Sequence, residues 1–223
     1  MSTNNISSTT MAVTELIFPQ IKTDPDSLRE IEQDWPIISK RLTHPNPGLL
    51  NAYRGFLLTE NGVDVRNAHR EFLLFEWVKA EDFQAFIKSD QFGNFAASIK
   101  HLVNGPPMLQ LFETNISPRE VASASVVEII RLSISNPEHA ETSTQTWERI
   151  SRFLSGKKAS VTYGTSSNLE NEVVAGIIGW NSPETRSQVI QETEYIEAFN
   201  SLQSLGDVNQ ITVDVAAMEL PSL

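Results

Sequence analysis

Shifted against itself by about a hundred residues, the chain brings all four of its tryptophans into register, and no other sequence feature constrains the fold as much. Trp35 answers Trp147, and Trp77 answers Trp180. Around the first pair, Trp35-Pro-Ile-Ile-Ser39-Lys-Arg-Leu42 matches Trp147-Glu-Arg-Ile-Ser151-Arg-Phe-Leu154 in its serine, a basic residue and the final leucine. Tyr53 and Tyr163 also fall at matching places, as do Glu15 and Glu128. The chain is therefore expected to be two related halves, 12–115 and 125–223, joined by a linker over 116–124. Residues 1–11, rich in Ser, Thr and Asn, are expected to be a disordered arm. They lack the positive start and apolar core of a secretory signal.

Each half obeys one grammar of strand, helix, strand, strand, helix, strand. In the first, Val13 to Ile21 is a β-branched apolar run, and Ser27 with Glu30 reads as a capping box. Leu28, Ile31, Trp35, Ile38 and Leu42 then share one helical face. Strands are expected over 49–59, 69–78 and 108–114, with a helix from Glu81 to Ile99 broken near Gly93. The second half repeats the order, and Ser182-Pro183-Glu184 opens its last helix directly after Trp180. Such a unit, a ferredoxin-like βαββαβ fold, puts both helices on one face of an antiparallel sheet and leaves the other face bare. Strands such as Phe72-Leu-Leu-Phe75 are apolar on both sides, so the bare face must be covered too. The predicted class is α+β, with the two sheets packing into a pseudo-dimeric α+β barrel. Its closure also removes exposed strand edges.

Composition narrows the function. With Lys+Arg 17 against Asp+Glu 28, the net charge of -11 repels nucleic-acid backbones and anionic membrane surfaces. There are no cysteines, which removes disulfides, thiolate nucleophiles and cysteine metal sites and fits a cytoplasmic location. No apolar stretch is long enough to span a bilayer. His44, His69, His101 and His139 lack the spacing of a metal site, and no phosphate loop, nucleophile elbow or dinucleotide fingerprint occurs. Neither a metal nor a cofactor is expected.

The text Glu76-Trp77 followed by Glu81 and Phe83, then Phe86-Ile-Lys-Ser89-Asp90-Gln-Phe92, resembles the antibiotic biosynthesis monooxygenase-like domains of the dimeric α+β barrel superfamily. The second half keeps Trp180, Ser182, Glu184 and Phe199 of this pattern and loses the Ser-Asp-x-Phe segment. The tandem arrangement is similar to single-chain proteins of filamentous fungi. The resemblance implies a pocket between helices and sheet, and a tailoring enzyme of secondary metabolism. Its substrate would be polyketide-like or aromatic, and its chemistry cyclisation, isomerisation or cofactor-independent oxygenation. The alternative is a non-catalytic ligand-binding or stress protein that kept the scaffold. Where haem-degrading relatives place an iron-ligating histidine, this chain has Ala96 and about Asn200, so the resemblance implies no haem. It implies a monomer acting as a pseudo-dimer, or a homodimer, with at most one working pocket.

The catalytic candidates are His69, Tyr53 and Arg54. A histidine at a strand mouth suits proton abstraction near neutral pH, and a tyrosine or arginine suits an enolate oxygen. Tyr53 and Arg54 point to opposite faces of one strand, so at most one of them faces the helix-side pocket. Trp77, Phe86, Phe95 and Tyr163 are the candidates for binding a flat apolar ligand. Glu15, Glu76, Glu128 and Asp214 interrupt apolar strands. Their expected state is exposure at an edge, the alternatives being a bridge to a cation or an acid–base group with a raised pKa.

Overall fold

The computed structural model describes residues 11–220; all but the last residue of the expected arm lies outside them. The first half runs β1 (Ala12–Phe18), α1 (Pro25–Thr43), β2 (Leu49–Glu60), the short β3 (Val63–Asp64), β4 (Glu71–Trp77), α2 (Ala80–Ile87), α3 (Asp90–Ile99) and β5 (Met108–Thr114). After α4 (Arg119–Ala122), the second half runs β6 (Val126–Ile134), α5 (His139–Ser155), β7 (Ala159–Ser166), β8 (Val173–Trp180), α6 (Pro183–Val189), α7 (Thr193–Gln203) and β9 (Gly206–Ala217). Among the described residues no helix is long and apolar enough to cross a membrane.

Eight strands close into an antiparallel barrel in the order β2, β4, β1, β5, β7, β8, β6, β9 and back to β2. Within each half the order is the ferredoxin-like one. The halves meet at two equivalent seams, β5 on β7 and β2 on β9. A glycine stands at each. A Cβ on Gly55 would lie 1.5 Å from the Asp214 carbonyl oxygen, and one on Gly164 would lie 2.0 Å from that of Glu113, so only glycine permits the strands to pair there.

Alternation along the strands separates two kinds of core. Leu16, Phe72, Leu74, Phe112, Ile129, Ile177 and Val213 fill the barrel, as the apolar strands required. The opposite faces bury Leu73, Phe75 and Trp77 under the first-half helices, and Ile130, Ile178 and Trp180 under the second-half helices.

Local expectations change in four places. Asp24 caps α1, its carboxylate accepting the Ser27 backbone N–H at 3.0 Å, with Pro25 in the first turn. The capping box assigned to Ser27 and Glu30 is displaced because an aspartate preceding a proline is already a complete helix start. The second helix breaks at Ser89 rather than Gly93, since Ser89 turns its hydroxyl to the Phe92 N–H and caps α3. The segment between the halves contains α4, whose Val121 and Ala122 are buried against the barrel core. Finally, Tyr53 and Tyr163 are not equivalent. A bulge between Leu49 and Asn51 moves β2 by one residue, so Arg54 pairs with Leu73 as Tyr163 pairs with Gly176. A one-residue slip turns every later side chain to the other face.

Candidate active site

The same hydrogen bond lies at the centre of both halves. Trp77 donates its indole N–H to the Glu15 carboxyl at 2.8 Å, and Trp180 donates to Glu128 at 2.7 Å. All four side chains are buried, with Glu15 2% exposed and Glu128 0%. Exposure was the expected state of these carboxylates. Both sit instead on the helix-facing side of the central strand of their half, where α2 and α3, or α6 and α7, exclude water. Asp214 is exposed, accepting the Phe56 N–H across the seam, and Glu76 is buried.

In the second half, Arg186 from α6 grips Glu128 with two hydrogen bonds of 3.0 and 2.8 Å, and the Gln210 amide adds a third contact. Tyr195 packs edge-on to Trp180, and burial pushes its phenol well above the usual range. Trp147 lies fully buried against the sheet because Gly176 leaves room; a Cβ there would come within 2.0 Å of the indole. Tyr163, the cross-strand partner of Gly176, stacks with Trp147 at 6.3 Å. The space between helices and sheet is thus occupied by the protein's own side chains.

The first half replaces the partners of Glu128 and the glycine under the indole. Counting from the paired tryptophans, Phe83 stands in place of Arg186 and Phe92 in place of Tyr195. By strand register, Leu109 replaces Gln210 and Leu73 replaces Gly176. Leu73 holds the position that the Trp147 indole overlies in the other half. Trp35 stays half-buried, with the Arg54 guanidinium 3.7 Å above its ring.

What remains is a cleft of about 620 Å³. Glu15 lies at its floor, Leu73, Phe75, Phe86, Phe92 and Phe95 form its walls, and Lys100 and Asn104 stand at its rim. Phe86 and Phe92 meet at 5.5 Å, and Phe92 and Phe95 at 6.0 Å, giving an aromatic wall. Among the described residues, Trp77 is the one hydrogen-bond partner of Glu15. Burial pushes the Glu15 carboxyl from its ordinary 4.5 up to about 8, against the pull of the Trp77 N–H in the opposite direction. Such a group changes protonation near neutral pH inside an apolar cavity, the environment in which a carboxyl serves as general acid or base.

The residues singled out from the sequence are dispersed. Phe86 and Phe95 line the cleft, and Trp77 holds its carboxyl. Tyr163 belongs to the filled second half. His69 is exposed, in a left-handed conformation (φ 48) just before β4, and lines a separate cavity of about 280 Å³ with Phe18 and Met108. Tyr53 points into the barrel core. Arg54 does lie on the helix side, but Glu71 and Glu32 neutralise it. These three candidates do not converge. Glu15 could have been chosen from the sequence, because Glu15 and Glu128 recur at equivalent places in strands that are otherwise apolar. Among the described residues there is no cluster of three or more metal-binding side chains.

No protein-family model matches the sequence, and no curated protein matches it. Solved structures do. An anthrone oxidase-like protein superposes with a TM-score of 0.65 at 11% identity, covering 95% of this chain and 97% of its own. A provisionally assigned monooxygenase from Fusobacterium nucleatum gives 0.63 at 10% identity, covering 96% of each chain. Another from Lactobacillus acidophilus gives 0.60 at 10% identity, covering 94% of this chain and 100% of that one. These likenesses span both halves, and at such identities they establish architecture alone: the chain shares the α+β barrel fold of these structures, two ferredoxin-like halves in one polypeptide.

Proposed function

We propose that the protein is a small-molecule tailoring enzyme whose first-half cleft holds a flat, apolar aromatic metabolite and whose Glu15 moves the proton. The carrying observation is a buried carboxyl, held by one indole N–H and without another partner among the described residues, facing an aromatic cleft. As carboxylate, Glu15 removes a proton from a phenol or an acidic C–H carbon. As acid it returns the proton, which serves cyclisation and isomerisation equally. Desolvation makes the carboxylate a stronger base than it would be in water.

Oxygenation is the reaction class favoured here, and the anthrone oxidase-like and monooxygenase-named neighbours support it. In that case Glu15 deprotonates an activated CH2 group, and the delocalised carbanion adds dioxygen and takes back the proton to give a hydroperoxide. Loss of water leaves a carbonyl. The sum is CH2 + O2 → C=O + H2O, with dioxygen as the sole oxidant. The second half, with Glu128 neutralised and its pocket filled, keeps the barrel closed and takes no part in the chemistry, so a monomer suffices. A role in cytoplasmic secondary metabolism belongs to the same reading.

The test is oxygen consumption by the purified protein with anthrone as probe, compared with Glu15→Gln. Glutamine keeps the shape and the acceptor for Trp77 and removes the base. Loss of turnover with an unchanged fold supports the reading; equal turnover in both proteins sinks it.

A further inference from the structure

In the second half a carboxylate and a cation satisfy each other inside the pocket, Glu128 with Arg186 at 2.8 Å. In the first half the two charge types are separated. Glu15 has no cation at the floor, and Lys100, on the turn that follows α3, stands at the rim of the same cleft with no ion-pair partner among the described residues. These are the two ionisable side chains lining the cleft. Counting from the paired tryptophans, the matching residue of the second half is Gln203, the last residue of α7, so Lys100 is peculiar to the open half.

The base of Lys100 is well fixed. Just beyond it the chain forms a hydrogen-bonded ribbon with the segment after β1: Lys22 N–H to the Leu102 carbonyl at 2.9 Å, an Ile21 to Val103 bridge, and Asn104 N–H to the Gln20 carbonyl at 2.7 Å. The ammonium carries three donors and no acceptor. In a molecule of net charge -11 it is the cation offered to whatever enters this cleft.

We propose that the ligand of the first-half cleft carries an anionic group, a carboxylate or phenolate, at one end. Lys100 receives that group at the rim while the apolar body lies against Phe86, Phe92 and Phe95. This rests on the cleft being the substrate site and adds orientation: the anionic end stays outward, and the reacting carbon or hydroxyl is carried inward to Glu15. At neutral pH the protonated Glu15 does not repel such a ligand. Lys100 is thus a specificity-determining residue, and neutral polycyclic compounds of the same shape are poorer ligands.

Calorimetric titration with 2-naphthoate and with its neutral isostere 2-naphthamide, at low salt and pH 7, tests this on the full chain and on Lys100→Met. The expected result is a preference for the acid of about two- to fivefold, the size of an exposed ion pair, falling as salt is added. Lys100→Met is expected to lose the preference and Lys100→Arg to keep it, with unchanged thermal midpoints. Equal binding of acid and amide by the wild type, or an acid preference that survives in Lys100→Met, overturns the inference and leaves the aromatic cleft standing. Failure of both probes to bind overturns the inference together with the cleft as an aromatic site.

Discussion

The two halves of this protein contain one structural motif in two chemical states. Glu15 with Trp77 and Glu128 with Trp180 occupy equivalent strand positions and make nearly identical hydrogen bonds of 2.8 and 2.7 Å. Around Glu128, Arg186 and Gln210 supply the charge and the donors that a buried carboxylate needs. Around Glu15 the matching residues are Phe83 and Leu109, which supply none. A buried glutamate is therefore ion-paired or left without a charge partner according to whether one arginine reaches it. The neighbouring tryptophans follow the same division. Gly176 lets Trp147 sink onto the sheet and fill the second half, whereas Leu73 stands at that position in the first.

The comparison breaks most readily through activity. Glu15→Gln should reduce turnover by about 10²–10⁴-fold, the usual worth of a positioned base, whereas a variant at Glu128 that still folds should retain its chemistry. Stability should respond in the opposite sense. Glu128→Gln leaves the half-buried Arg186 beside a neutral amide and should cost about 1–3 kcal/mol, read as a lowered denaturation midpoint. Glu15→Gln should not destabilise in this way.

The state of Glu15 also sets a pH dependence. The folded-state pKa of Glu15 is raised from 4.5 to about 8. The stability associated with its protonated form is thus fully present below about pH 4.5 and is lost as pH rises to about 8. Relative to wild type, Glu15→Gln should become more stable by a few kcal/mol between pH 5 and pH 9, measured by urea denaturation at each pH. If Glu15 acts as base, wild-type turnover should climb over the same interval and level off above about pH 8. A smaller effect concerns packing: Gly176→Ala forces Trp147 away from the sheet and should cost about 1–3 kcal/mol in thermal denaturation.

The architecture was legible because four tryptophans mark equivalent points and because strands apolar on both faces need two covers. The site was legible only in part. Phe86 and Phe95 could be placed at a pocket, since they belong to the run of aromatic residues that follows Trp77. The state of Glu15 could not, because its environment is set by Trp77, by Phe92 and Leu109 and by the absence of an arginine, all distant in sequence. Tyr53 and Tyr163 misled for a different reason. A single bulged residue in β2 has no strong local signature, yet it sends one tyrosine into the barrel and leaves the other under a helix. His69 drew notice as a titratable residue beside a strand, but it precedes β4 in a left-handed conformation and lines a separate cavity with Phe18 and Met108.

The most direct test of the central claim is a carbon-13 NMR titration of the side-chain carboxyls in protein labelled on glutamate, with Glu15→Gln identifying the resonance. A Glu15 carboxyl that titrates near pH 8 is the predicted result. Titration at the ordinary glutamate value near 4.5 would show that burial does not perturb Glu15, and the account of the first-half carboxyl would fail.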